Sequence, residues 1–214
     1  MIRVGIYGAG GFGKEVAWLL DSCNQRGRHY EILCFIDDNP SLHGKILNGI
    51  RVMGFDEARQ KYPSIHLVRG TGSVRASVEV IKKSQNAGLD FLTVIHPNTE
   101  YSKYVTFGKG TVVCSGSIFT TNVTVGDYVQ VNLNCTIGHD VRLGDYTTIA
   151  PGVHISGYVH VGKRVYIGTG AVIVNGTEES PVIIGDDVTI GAGACVTKSI
   201  PSNSKVVGVP AKPI

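Results

Sequence analysis

The sequence predicts an α/β N-terminal domain followed by a parallel β-helix. Two observations carry that reading and a third places the join. From Phe107 an aliphatic or aromatic residue returns at every sixth position: Phe107, Val113, Phe119, Val125, Val131, Ile137, Leu143, Ile149, Ile155, Val161, Ile167 and Ile173, resuming at Ile184, Ile190 and Val196. Ahead of this run, Gly8-Ala9-Gly10-Gly11-Phe12-Gly13 stands between an apolar segment and a helical one. The pattern changes near residue 100 of a 214-residue chain, a length that allows one or two domains. The domains are therefore expected at residues 1–95 and 96–214.

Ile2 to Tyr7 is apolar enough for a buried strand, and a helix is expected from Lys14 to about Asp21. A G-x-G-x-x-G between strand and helix leaves backbone N–H groups open at a helix N-terminus, where they can cradle phosphate. Alone the motif is weak, since a tight turn closing strand on helix explains it too. A second strand, Ile32 to Ile36, ends in Asp37-Asp38, whose carboxylates can accept hydrogen bonds from a ribose or a base edge. A third, near His66-Leu67-Val68, leads to Gly70 and a helix from about Ser73 to Ala87. This Rossmann-like unit is smaller than a full dinucleotide fold, and no second mononucleotide half follows. That disfavours an NAD dehydrogenase and favours a single nucleotide, such as the nucleotide end of a nucleotide sugar.

A fixed period of six marks a parallel β-helix, with three flat strands per coil and eighteen residues to a coil. Two residues of each six point inward: the aliphatic, and a small or β-branched residue four positions on (Thr111, Ser117, Val123, Val129, Cys135 and their successors). Glycine often follows the aliphatic (Gly108, Gly126, Gly138, Gly144, Gly162, Gly168, Gly185, Gly191), and is expected to supply the backbone freedom that corners need. A sandwich of short strands would not keep this phase through its irregular loops. Known hexapeptide helices are left-handed, against the usual rule for parallel crossovers, and that hand is expected here.

His139 and Asp140 follow Ile137-Gly138, which makes them outward residues at a corner. One coil further on, directly over His139, stands Gly157. The imidazole thus faces backbone without a side chain, leaving room for a slender reactive group. A base beside an amide that can steady an oxyanion is the minimum equipment for acyl transfer. A solvated surface His-Asp pair is the plain alternative. His154 and His160 fall on different faces of the helix and share no metal spacing with His139, so no metal is expected. Thr177-Glu178-Glu179-Ser180-Pro181 interrupts the repeat just after Asn175, which stacks over Gly157. The inserted loop either overhangs a groove beside this corner or is a tolerated surface insertion.

The charge balance, 20 basic against 17 acidic residues for a net +3, shows no basic stripe with interleaved aromatics. Nucleic acid is therefore an unexpected partner. No apolar stretch approaches a membrane span, and Met1 to Tyr7 is too short and runs too soon into glycines for a signal sequence. Cys23, Cys34, Cys114, Cys135 and Cys195 are scattered without the spacing of a zinc site or disulfide framework. A cytoplasmic, reduced protein is expected.

Together the hexapeptide helix, the Gly-Ala-Gly-Gly-Phe-Gly start, Asp37-Asp38, the Ile137-Gly138-His139-Asp140 corner and the ending Gly208-Val209-Pro210-Ala211-Lys212 resemble a bacterial sugar acetyltransferase family. That family includes bacillosamine and perosamine N-acetyltransferases and the sialic-acid O-acetyltransferase, and the resemblance covers nearly the whole chain. It implies a homotrimer with active sites between neighbouring subunits, acetyl-CoA along the helix and a nucleotide sugar on the N-terminal domain. By motif position His139 matches the general base and Asp140 its acidic partner, while Asn132 matches a residue near the acceptor sugar. Gly10, Gly11, Asp37, Asp38 and Gly70 match the nucleotide-sugar site, and Phe12 holds a loop position that is commonly histidine. Gly157, Thr169, Gly191 and Ala192 match the acetyl-CoA groove, and Thr148 stands where some members place a histidine near the thioester.

The expected activity is acetyl transfer from acetyl-CoA to the amino group of a UDP- or dTDP-linked 4-amino-deoxy sugar, in surface polysaccharide biosynthesis. O-acetylation of a hydroxyl such as that of sialic acid, and a non-catalytic nucleotide-sugar-binding scaffold, remain open at this point.

Overall fold

The structure, a computed structural model, describes residues Met1–Ile214. The chain divides into two compact units, Met1–Pro97 and Asn98–Ile214.

In the first unit β1 (Ile2–Tyr7), α1 (Gly11–Gln25), β2 (Tyr30–Ile36), β3 (Ile46–Leu47), β4 (Ile50–Met53), α2 (Phe55–Lys61), β5 (His66–Arg69) and α3 (Val74–Asn86) follow one another. The sheet runs β3-β4-β2-β1-β5, parallel except for the β3/β4 pair. Its centre, β1, buries Val4 and Ile6 completely, and α1 turns Val16, Leu19 and Leu20 inward. The helix starts at Gly11, earlier than the sequence suggests, because Gly10 takes an extended conformation and serves as the N-cap without any side-chain bond. Two elements escape the sequence reading. The β3/β4 hairpin turns through Asn48-Gly49 with φ of 47° and 79°, the left-handed pair that a two-residue hairpin turn requires. Helix α2 follows at once after Gly54.

The second unit is a three-sided stack of two- and three-residue strands. One face carries Ile118–Phe119, Thr136–Ile137, His154–Ile155, Val172–Ile173 and Cys195–Val196. A second carries Thr124–Val125, Arg142–Leu143, Val159–Val161 and Val182–Ile184, and a third carries Val112–Val113, Gln130–Val131, Thr148–Ile149, Tyr166–Ile167 and Thr189–Ile190. All of these ladders are parallel, and each strand pairs with the one a full coil away: Gln130 lies opposite Thr148 and Thr136 opposite His154. Beyond the inserted Thr177–Pro181 the partner of Val172 is Cys195, so the insertion lengthens one coil without turning any later side chain to another face.

Both expected inward columns are buried. Ile137, Ile149, Ile167 and Ile173 on one, and Val123, Val129, Cys135, Val141, Val153 and Val165 on the other, have no exposed surface. Where the second column is polar, its hydroxyl cross-links coils. Ser117 Oγ donates to the Asn132 carbonyl (2.7 Å) and accepts from the Cys135 amide (3.2 Å), and Thr147 does the same between Gly162 and Val165. A buried hydroxyl with both roles filled avoids the desolvation cost of an unpaired one.

The glycines after the aliphatic positions do another job from the one expected. Left-handed backbone recurs two residues later, at Gly110, Gly116, Asn122, Tyr128, Asn134, Asp140, Tyr146, Gly152, Tyr158, Arg164 and Gly170. Gly126, Gly138, Gly144, Gly162 and Gly168 are not among them; they sit where consecutive coils touch. A Cβ on Gly138 would lie 2.7 Å from the Ser156 carbonyl carbon, and one on Gly144 would collide with the Gly162 carbonyl. Close approach, rather than a special φ, selects glycine there. Gly144→Ala should therefore cost about 1–3 kcal/mol, the usual range for overpacking a filled site, read as a lower thermal midpoint; an unchanged midpoint would contradict the stacking explanation.

Candidate active site

In the first unit, the glycine motif divides into two kinds of position. Gly8 has φ 120°, and a Cβ there would lie 2.6 Å from the Gly70 carbonyl oxygen; a Cβ on Gly13 would collide with the Gly8 carbonyl. Gly70 is wedged against Ile6 and Gly13. These three bring strand, helix and the β5 end together. Gly10 and Gly11 have nothing within 4 Å of a would-be Cβ, so the α1 N-terminus opens to solvent with its amides available. Phe12 is half-buried beside Gly72.

Asp37 and Asp38 lie at the C-terminal end of β2, next to that N-terminus. Asp37 accepts from the Ala9 amide (2.9 Å) and the Asn39 amide (2.9 Å). Asp38 accepts from the Tyr7 hydroxyl (3.0 Å) and pairs with Lys83 of α3 (2.6 Å). Burial, reinforced by Asp38, pushes the Tyr7 hydroxyl far above its ordinary pKa, so it remains a donor. His43 Nε2 sits 2.8 Å from the Asp37 carbonyl oxygen, and its ring packs over Gly54. A cavity of about 340 Å³ is lined here by Asp37, Asp38, His43, Phe55, Asp56 and Lys83 among others. His43, Tyr7 and Lys83 were missed in the sequence, because only the fold brings α3 and the segment after β2 to the end of β1.

In the second unit the corner between the first and second faces holds His139, Asp140 and Gly157. His139 Nδ1 lies 2.9 Å from Asp140 Oδ2. A carboxylate only accepts, so Nδ1 carries a proton, and in the neutral ring Nε2 then keeps its lone pair. The His139 hydrogen bond, helped by Asn122, holds the Asp140 carboxyl below its ordinary pKa. The imidazole lies flat against Gly157, where a Cβ would collide with Cε1 and Nε2. Tyr158 stands edge-on to the ring, centroids 5.1 Å apart, and its amide donates to the His139 carbonyl (3.0 Å). Asn122 Nδ2 donates to Asp140 Oδ1 (3.1 Å). Asn122 and Tyr158 are one coil below and one coil above Asp140, so the repeat itself could have pointed to both.

The remaining helix candidates lie elsewhere. Thr169, Gly191 and Ala192 occupy the corner between the third and first faces, across the width of the first face from Gly157. Gly191 has Val207 against it, and Thr169 and Ala192 are exposed. Asn132 is buried, donating to the Ile149 carbonyl (2.8 Å) and accepting from Gln130 (3.1 Å). Thr148 is also buried, and its hydroxyl has no hydrogen-bond partner within the chain. Of the expected cofactor positions, one chain therefore brings Gly157 to His139 but not Thr169, Gly191 or Ala192. His154 pairs with Thr136 Oγ1 (2.8 Å) and His160 faces another side. No group of three or more His, Cys, Asp or Glu is arranged to hold a metal, and no helix is long and apolar enough to cross a membrane. The inserted loop closes on itself through Thr177 and Ser180, and Glu178 and Pro181 line a cavity of about 310 Å³ beside Asp140 and Tyr158.

Comparison with known proteins bears on both halves. Residues 3–83 match the PglD N-terminal domain, and residues 122–157 match the bacterial transferase hexapeptide (six repeats). The chain is 34% identical to GDP-perosamine N-acetyltransferase of Escherichia coli O157:H7 over 97% of its own length and 94% of the relative's. Among solved structures, WeeI from Acinetobacter baumannii AYE superposes with a TM-score of 0.91 at 34% identity, covering 100% of both chains. PerB from Caulobacter crescentus, in complex with CoA and GDP-perosamine, gives 0.86 at 29% identity over 99% of this chain and 97% of that one. The acetyltransferase domain of PglB from Neisseria gonorrhoeae FA1090, in complex with acetyl coenzyme A, gives 0.86 at 31% over 99% and 98%. Matching domain order, full-length similarity and the His139 corner lead to one conclusion: the chain belongs to the acetyl-CoA-dependent bacterial sugar acetyltransferases in which a Rossmann-like domain precedes a left-handed hexapeptide β-helix.

Proposed function

We propose that this enzyme moves the acetyl group of acetyl-CoA to the amino group of a nucleotide-linked 4-amino-deoxy sugar, with His139 as general base. One observation carries the reading: His139, its Nδ1 tied to Asp140, lies on the bare face of Gly157 with Nε2 free of any partner in the chain. The free amine attacks the thioester carbonyl carbon while Nε2 takes the proton the nitrogen loses. Asp140 holds the ring in that tautomer and steadies the imidazolium. A backbone amide near Gly157 stabilises the oxyanion. Collapse expels the CoA thiolate, which recovers the proton from His139. No covalent intermediate is invoked: Cys114 and Cys135 are buried, and burial raises the Cys135 thiol above its ordinary pKa.

The amine is favoured over a hydroxyl by the N-acetyltransferases among the relatives, three of whose structures contain GDP-perosamine. Those relatives also favour guanosine diphosphate over the uridine or thymidine diphosphate expected from the sequence. The cavity lined by Asp37, Asp38 and Asp56, with Lys83 among its few cations, suits that choice. Guanine offers two adjacent N–H donors on its pairing edge, whereas uracil and thymine offer one between two carbonyls. Gly10 and Gly11 are placed to let the diphosphate reach the α1 N-terminus. A homotrimer, in which a neighbour supplies the Thr169, Gly191 and Ala192 side of the acetyl-CoA groove, accounts for the separation of those residues from His139. Surface polysaccharide synthesis in the cytoplasm is the setting this substrate implies.

The direct test is mass spectrometry after incubation with acetyl-CoA and GDP-, UDP- or dTDP-linked 4-amino-4,6-dideoxy sugars, with free sialic acid alongside. The expected result is an acetyl mass gain on the GDP sugar; gain on sialic acid alone would move the reaction to a hydroxyl. Two variants separate base from platform. His139→Ala should lose on the order of a hundredfold or more in kcat, the usual share of a general base, with acetyl-CoA still bound by calorimetry. Gly157→Ala, which displaces the ring while keeping it, should lose about a hundredfold through misplacement alone. An active His139→Ala enzyme would remove the base assignment.

A further inference from the structure

Asp140 can hold His139 only if Asp140 is itself held, and its own sequence position makes that unlikely without help. It sits at a corner in left-handed backbone, φ 57°, with about a third of its side chain exposed. A free carboxylate there would rotate about its side-chain bonds and share its oxygens with water. The structure fixes it from the coil below. Asn122, also left-handed at φ 54°, lies directly beneath and donates from Nδ2 to Oδ1, leaving Oδ2 for His139 Nδ1. The two oxygens of one carboxylate are thus divided between two partners, and the chain amide–carboxylate–imidazole spans two consecutive coils and abuts Gly157 and Tyr158 in the third.

We infer that Asn122 is a positioning residue of the acetyl-transfer reaction, orienting Asp140 so that His139 presents Nε2 to the substrate. This inference rests on the general-base reading of His139. The residue type fits the task on two counts. Asparagine tolerates left-handed backbone better than other non-glycine residues, and its amide is a donor with no charge to compete with His139. An aspartate would set a second carboxylate against the first, and a lysine would compete with the imidazole for it. The other charged and titratable groups around Asp140 do not duplicate the role. Arg142, His160 and Glu178 line the cavity on the second face, where the Tyr158 side chain and Pro181 also lie. The Tyr158 hydroxyl is held above its ordinary pKa, chiefly by the Asp140 charge, so it remains neutral beside the pair.

The test is a double-mutant cycle on the full-length enzyme, assayed with acetyl-CoA and the GDP-linked 4-amino sugar. Asn122→Gly keeps the left-handed backbone unstrained and removes only the donor; Asn122→Asp keeps the shape and reverses the donor's role. Asn122→Gly should lower kcat about tenfold, part of the whole general-base effect, with both KM values within twofold. Asn122→Asp should lower kcat as well and move the acid limb of the kcat/KM profile up by about half a pH unit, because an added negative charge favours the protonated ring. In an Asp140→Gly background, which removes the acceptor and suits the left-handed backbone, Asn122→Gly should cost nothing further, since its target has gone. The inference is overturned if Asn122→Gly keeps wild-type kcat, if it loses as much in the Asp140→Gly background, or if the whole loss lies in KM. His139→Ala, run in parallel, separates the two failures: an active His139→Ala enzyme sinks the general-base reading, whereas an inactive one beside an unaffected Asn122→Gly sinks this inference alone.

Discussion

Coil stacked on coil in parallel register sets every outward side chain against the residue one turn of the helix away, and the candidate chemistry depends on one such contact. The contact is between the His139 ring and the bare Cα of Gly157. Any side chain at 157 would occupy the space over the imidazole, and any slip in register would put a different residue there. The register does not slip because both inward columns are filled and sealed, Ile137 and Ile155 in one and Cys135, Val141 and Val153 in the other. Core packing and site geometry are therefore the same constraint seen from inside and outside the prism.

The two units contribute different physics. The N-terminal unit offers an open helix N-terminus and a carboxylate-lined cavity, features that act through charge and hydrogen bonds. The helix offers a rigid platform with little chemistry of its own beyond one oriented imidazole. Asp140 shows how thoroughly the platform is used: left-handed backbone turns it back toward His139, and the hydrogen bond it accepts there holds its carboxyl below the ordinary pKa. Rigid elements of this kind place reacting groups more closely than loops can, which is where proximity effects in acyl transfer come from.

Much of this was legible in the chain because a repeat of six converts sequence distance into spatial contact. His139 over Gly157 follows from counting eighteen residues, and Asn122 and Tyr158 could have been found by the same count. The corner glycines were misread for an instructive reason. Glycine has two uses, left-handed φ and close approach, and composition alone does not distinguish them; only the position of Asn134, Asp140 and Tyr146 in left-handed backbone does. In the N-terminal unit no such count exists. Tyr7, His43 and Lys83 meet Asp37 and Asp38 through a five-stranded sheet order that brings segments far apart in sequence to one edge. The β3/β4 hairpin was the exception, since Asn48-Gly49 announces its turn. The separation of Thr169, Gly191 and Ala192 from His139 was also implicit in the period, because corners six residues apart belong to different edges of the prism.

The central claim is that His139 Nε2 receives the proton of the sugar amine. A crystal structure of the enzyme with CoA and the unreacted GDP-linked 4-amino sugar tests it most directly. The account predicts the amino nitrogen within about 3 Å of His139 Nε2, the reach of a general base, with the CoA sulfur on the Gly157 side. An amine held away from His139, against a different base, would contradict it.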